Sequence, residues 1–199
     1  MVTMIGDRKK SLVALRRRPF YSPVWLAAIG SLAAFGGLAL LGIALWFWST
    51  ANATTVIVIR HAEQELNGES DPPLSEAGRV RAEALAQLFG ERGEGGTLDV
   101  IVTSTALRSR ATAAPLARRL GLTPIAVPAG DQSEYVRRAL RDHDGGRILV
   151  VGHVDTIPKI VAALRGSGDP TPVTVSDYGT IFLITVPRLG RSNFLCLHY

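Results

Sequence analysis

Val56-Ile57-Val58-Ile59-Arg60-His61-Ala62-Glu63 carries four β-branched residues directly into a cluster of ionisable ones. The run from Val56 to Arg60 reads as a strand. Further such runs follow at Val100 to Thr103, Ile125 to Val127, Ile148 to Val151 and Ile181 to Thr185, with Phe194 to Leu197 as an edge strand. Longer helical stretches alternate with them. That alternation predicts an α/β fold, a three-layer sandwich around a mostly parallel sheet.

The helices have readable ends. Ser75 to Arg92 opens on a serine cap and places Val80, Ala84, Leu85 and Leu88 along one face. Ala106 to Leu120 stops at Gly121, Ser133 to Arg141 is short, and Thr156 to Leu164 stops before Gly166. Glycine clusters at 93–96 and 144–146 read as turns feeding strands.

The segment before this domain is of another kind. Val24 to Trp48 holds 25 residues without a charge, and as a helix would reach about 37 Å, enough to cross the ~30 Å hydrocarbon core. The reading is therefore a basic cytoplasmic tail (1–23), a transmembrane helix (24–48), a short linker (49–55) and a soluble domain (56–199). The tail carries six Lys/Arg against Asp7, which accounts for the whole formal charge of +5; the remainder balances at 16 of each sign. A basic tail beside a span calls for no nucleic-acid partner. The positive-inside rule keeps the N-terminus cytoplasmic and the domain extracytoplasmic, with Trp46, Phe47 and Trp48 at the interface. The rival reading is a signal peptide cleaved after Ala53, but the apolar run is about twice a usual signal core and bulky rings precede the site. The single cysteine, Cys196, allows no internal disulfide or thiolate metal cluster.

Ligands of open α/β sheets bind at the carboxyl ends of strands. Here the first strand ends in Arg60-His61-Ala62-Glu63, the second leads to Ser104 and Arg108, and the fourth ends in Gly152-His153. Two histidines and two arginines at one edge form a cationic pocket that suits a phosphoryl group. An alternative takes His61-x-Glu63 and His153-x-Asp155 as metal ligands.

Arg60-His61-Ala62-Glu63 resembles the Arg-His-Gly-Glu signature of the histidine phosphatase superfamily, which includes the phosphoglycerate mutases, with Ala62 in place of the usual glycine. Asn67, the run Asp71 to Gly78, Ser104 to Ala113, and Val151-Gly152-His153 resemble further segments of that family in its order. The resemblance covers residues 54–199 and none of the anchor. It implies a phosphoglycerate mutase-like fold and a metal-independent, cofactor-free phosphatase acting through a phosphohistidine on His61. Arg60, Asn67, Arg108 and protonated His153 would hold the phosphate. The proton donor is expected at Glu134, with Asp131 and Asp155 as alternatives. The substrate would be a phosphomonoester or phosphoramidate on a small molecule or a phosphoprotein. A non-catalytic phospho-ligand binding module and a phosphomutase are the competing functions.

Overall fold

In a computed structural model, residues 23–91, 97–166, 173–175 and 177–199 are described. The tail up to residue 22, the glycine turn at 93–96 and the 167–172 loop lie outside them. The elements are α1 (Pro23–Ala51), β1 (Thr54–Arg60), α2 (Glu76–Phe89), β2 (Val100–Ser104), α3 (Leu107–Leu120), β3 (Ile125–Val127), α4 (Gln132–Arg137, continued by a π-helical turn, Arg138–Asp142), β4 (Arg147–Gly152), α5 (Ile157–Arg165), β5 (Thr180–Val186) and β6 (Asn193–His198).

The chain divides after Ala44 into two units. Within the first, the α1 residues from Ala27 onward are exposed, in a helix whose apolar part, Ala27–Ala51, has a mean hydropathy of 2.1. Within the second, the end of α1 departs from the expected linker at 49–55. Thr50 Oγ1 and Asn52 Nδ2 donate back to helix carbonyls, which prolongs the helix to Ala51 and leaves only Asn52 and Ala53 before β1. Ser49 is buried, accepts from the Leu189 N–H at 2.6 Å and donates to the Leu189 carbonyl at 3.1 Å.

The six strands form one sheet in the order β3-β2-β4-β1-β5-β6. β1, β2, β3 and β4 pair in parallel, while β5 and β6 add antiparallel strands at one side. The pleat sends alternate side chains to opposite faces. Val56, Val58, Val100, Val102, Ile148 and Val150 pack with Tyr135 and Ala139 of the α4 segment and Ile157, Ile160 and Val161 of α5. Ile57, Ile59, Ile101, Leu149 and Val151 pack with Leu85 of α2 and Leu116 and Leu120 of α3. The three-layer sandwich is thus built from two apolar interiors, one on each face of the sheet.

The buried face of α2 differs from the expected one. Gly78, Ala82, Leu85 and Ala86 turn inward, whereas Val80 is 62% and Leu88 53% exposed. The helix lies so close to its neighbours that a Cβ on Gly78 would stand 2.1 Å from the Glu63 carbonyl oxygen. Close approach selects the face with the smallest residues. Ser75 caps this helix as expected, accepting from the Gly78 N–H at 3.1 Å. The left-handed Gly121 (φ 69°) likewise terminates α3.

Candidate active site

Strand register assembles the site. β4 lies between β1 and β2, and Arg60 at the end of β1 is the register partner of Gly152 at the end of β4. The next residues, His61 and His153, leave the sheet side by side with ring centroids 5.1 Å apart. The His61 N–H still donates to the Gly152 carbonyl at 3.1 Å. β2 delivers Ser104, and the first turn of α3 delivers Arg108.

His61 is 5% exposed, and its Nδ1 lies 2.8 Å from the Ala62 carbonyl. A carbonyl only accepts, so Nδ1 carries the proton and Nε2 keeps its lone pair. The Arg108 Nε–H donates to Nε2 at 3.3 Å. Burial, joined by the repulsion of His153, Arg108 and Arg60, lowers the His61 pKa to about 4 despite the opposing pull of the Ala62 carbonyl. The imidazole is therefore neutral near pH 7. The methyl of Ala62, where the resembling signature has glycine, fits a small cluster with Leu74 and Ala82. The Ala62 N–H donates to Thr112 Oγ1, whose own proton goes to the Arg108 carbonyl.

His153 is also buried, with Nε2 2.8 Å from Ser104 Oγ. Burial first, then Arg108, pushes its pKa below the usual histidine value, with Asp155 opposing. Without an anion the pocket disfavours the protonated form expected from the sequence.

Arg108 is steadied by Asp71, whose carboxylate accepts from Arg108 Nη1 at 3.4 Å and from the Leu107 N–H at 2.9 Å. The N-cap position of α3 is Ala106, which has no side-chain acceptor, so Asp71 serves as a cap reaching in from another loop. Arg60 is held differently. Its Cζ lies 3.9 Å from the centroid of the Tyr178 ring, and its buried Nε has no hydrogen-bond partner among the described residues.

Arg60, His61, Gln64, Arg108, Ala129, His153, Val154 and Asp155 line a cleft of about 310 Å³. Four of the expected site residues, Arg60, His61, Arg108 and His153, meet there. Two do not. Asn67 is exposed, and its Oδ1 accepts the Glu69 N–H at 3.1 Å in a local turn. Glu134 lines a separate groove between α4 and α5, bonded to Arg137 at 2.7 Å and to Arg138 at 2.8 Å. Arg137 first, then Arg138, pulls its pKa down to about 2. Glu134 is thus paired with two arginines and is not among the residues lining the cleft. Asp131 is occupied in capping α4, accepting from the Glu134 N–H and the Ser133 hydroxyl. Asp155 lines the cleft.

Glu63 turns away from His61 to pair with Arg81 at 2.7 Å, so the His61-x-Glu63 ligand set does not form. Sequence reasoning had assigned no part to Asp71 or Tyr178. The missing cap at Ala106 is a signal that could have prompted a search for Asp71. Tyr178 carried none, because only the antiparallel pairing of β5 with β1 brings it to Arg60.

Residues 56–129 match the family model of the histidine phosphatase superfamily, branch 1, a stretch that holds Arg60, His61 and Arg108 and stops before His153. No curated protein sequence matches the chain. Among solved structures, the protein histidine phosphatase SixA complexed with tungstate is similar at TM-score 0.58 and 21% identity, over 72% of this chain and 96% of that one. A protein known as mycobacterial hydrolase 1 is similar at TM-score 0.54 and 18% identity, over 74% and 99%. A mycobacterial glucosyl-3-phosphoglycerate phosphatase in complex with VO3 is similar at TM-score 0.52 and 18% identity, over 70% and 98%. The domain therefore has the phosphoglycerate mutase-like fold, with the histidine phosphatase pattern across its first half and an apolar N-terminal helix ahead of it.

Proposed function

We propose that this chain is a membrane-anchored phosphatase that transfers a phosphoryl group to His61 and then to water, without a metal. One observation carries the reading. The Ala62 carbonyl holds the Nδ1 proton of a neutral His61, leaving the Nε2 lone pair available in a cleft lined by Arg60, Arg108 and His153. Nε2 attacks phosphorus, the bond to the leaving group breaks, and the Nδ1 proton stays on the ring. Arg60 and Arg108 stabilise the charge on the equatorial oxygens, and Arg108 exchanges its bond to Nε2 for one to the phosphate. His153 gains a proton when the dianion arrives, because an adjacent negative charge favours the imidazolium. Water then attacks the phosphohistidine, the P–N bond breaks, and inorganic phosphate leaves.

Sequestration of Glu134 favours a substrate whose leaving group needs little help. Phosphohistidine can take a proton from solvent on its other ring nitrogen before the P–N bond breaks and so leaves as neutral imidazole, whereas an alkyl phosphate without an acid must expel a strongly basic alkoxide. SixA, described as a protein histidine phosphatase, acts on the first kind. A second reading has its own support. Asp155 lines the cleft and would protonate an alkoxide if the substrate is a phosphomonoester.

The test is phosphate release by the full chain in detergent from a phosphoramidate, an aryl phosphate and an alkyl phosphate, with and without EDTA. EDTA-resistant release that vanishes in His61→Ala supports the proposal; EDTA-sensitive release would point to a metal instead. Asp155→Asn should leave phosphoramidate turnover within about threefold, and a selective loss of ~10²-fold or more on the alkyl phosphate would favour the second reading. Oxyanion binding without release from any substrate would leave a phospho-ligand binding module.

A further inference from the structure

The two arginines of the cleft are held by opposite devices. Arg108 shares its charge with the Asp71 carboxylate. Arg60 has no carboxylate partner among the described residues and lies instead on the face of Tyr178. The difference has a chemical meaning. A carboxylate would spend the N–H donors of Arg60 and cancel the charge a phosphate needs, whereas a ring face attracts the cation and leaves the in-plane donors free.

The turn that carries the ring is itself fixed. Asp177 Oδ1 accepts from the Gly179 N–H at 2.9 Å and from the Thr180 hydroxyl at 2.8 Å, and His198 Nδ1 stands 3.5 Å from the same oxygen. The Tyr199 N–H donates to the Gly179 carbonyl at 3.0 Å. A Cβ on Gly179 would come within 2.6 Å of the Tyr199 carbonyl oxygen, so this close approach depends on glycine. The turn that carries Tyr178 is thereby pinned to the end of β6. Its ring stands 6.0 Å from that of His61, and Tyr178 is absent from the residues lining the cleft. Its ring face meets Arg60.

We propose that Tyr178 is a positioning residue, whose ring face holds the Arg60 guanidinium toward the phosphate with its charge and donors unspent. This rests on the cleft being an oxyanion site. The working part is the ring, since the phenol oxygen makes no side-chain hydrogen bond among the described residues.

Orthovanadate is the probe, titrated calorimetrically into the full chain in detergent, alongside KM and kcat on an aryl phosphate. Tyr178→Phe should keep vanadate affinity within about twofold, while Tyr178→Leu should weaken it ~tenfold and raise KM more than it lowers kcat. In an Arg60→Lys background the leucine change should add little, because the two residues act as a pair. Unchanged affinity in a folded Tyr178→Leu, or an equal loss in Tyr178→Phe, overturns the proposal. Should the leucine variant fail to fold, the native protein still decides. Its Arg60 Nε–Hε NMR signal, assigned by its loss in Arg60→Lys, must show an upfield ring-current shift, and an ordinary shift overturns the brace. A native protein without vanadate affinity overturns the oxyanion site and this proposal together. Affinity that Tyr178→Leu leaves untouched overturns the brace alone.

Discussion

His61 and His153 stand 5.1 Å apart under the same two arginines, yet the proposed reaction needs them in opposite protonation states. For His61 the neutral form is required, so kcat/KM should rise through its pKa of about 4. For His153 the protonated form is required, and its pKa is lowered, so kcat/KM should fall as pH rises through a value below 6.5. Activity should therefore be lost toward alkaline pH as His153 gives up its proton, and lost again at strongly acidic pH as His61 gains one. A profile flat up to pH 8 would remove protonated His153 from the mechanism. Stability follows with a definite sign. Between pH 6.5 and about 4 the unfolded chain binds a proton at His61 that the folded one refuses, so stability falls as pH drops through that window. His153 acts in the same sense. Melting temperatures across the window should decline in the native protein and decline less in His61→Gln.

α2 is the element whose packing is most exacting. Gly78 faces the Glu63 backbone, which begins two residues after the nucleophile. Gly78→Ala should destabilise the domain by about 1–3 kcal/mol, because neither the helix nor the β1 exit can yield without breaking packing or hydrogen bonds. Urea unfolding measures this; a loss below ~0.5 kcal/mol would show that the two backbones are not tightly held. The same element shows what sequence could not convey. The strands were legible because β-branched runs mark them whatever lies alongside; all six appear, β3 with the expected bounds and the other five longer by one or two residues at one or both ends. The inward face of α2 was not, because hydrophobic size points to Val80 and Leu88 where close helix contact selects glycine and alanine. The placement of Glu134 outside the cleft was not legible for a related reason. Its ion pairs with Arg137 and Arg138, three and four residues on, read equally well as a solvated helix face, and nothing in its spacing tells a donor from a clamped carboxylate. Arg60, His61 and His153 were legible because they stand at or directly after a strand end, and Arg108 because it opens the helix that follows one; these ends converge once the strands are parallel.

At the scale of the whole molecule, 25 uncharged residues precede a domain whose own charges balance. If Val24 to Trp48 anchors the chain, as we propose, membrane attachment rests on apolar burial, since the domain is charge-balanced and the attraction of the basic tail is screened by salt. The full chain should stay with membranes through alkaline carbonate and high-salt washing, both of which release proteins held by charge alone. Deleting residues 24–48 should release it. A signal peptide cut after Ala53 would instead give a soluble product beginning at Thr54, which intact-mass measurement distinguishes from all 199 residues. The second unit bears on that choice, because Ser49 is buried and bonded to Leu189 through both backbone groups. Cleavage after Ala53 would remove this pair and leave the Leu189 N–H and carbonyl to water. The uncleaved chain is therefore the expected species, and we propose that its basic tail stays cytoplasmic and its domain is exported. A cysteine-reactive, membrane-impermeant reagent should label Cys196, which is exposed, in intact cells. Labelling that requires lysis would place the domain on the cytoplasmic side and reverse the topology.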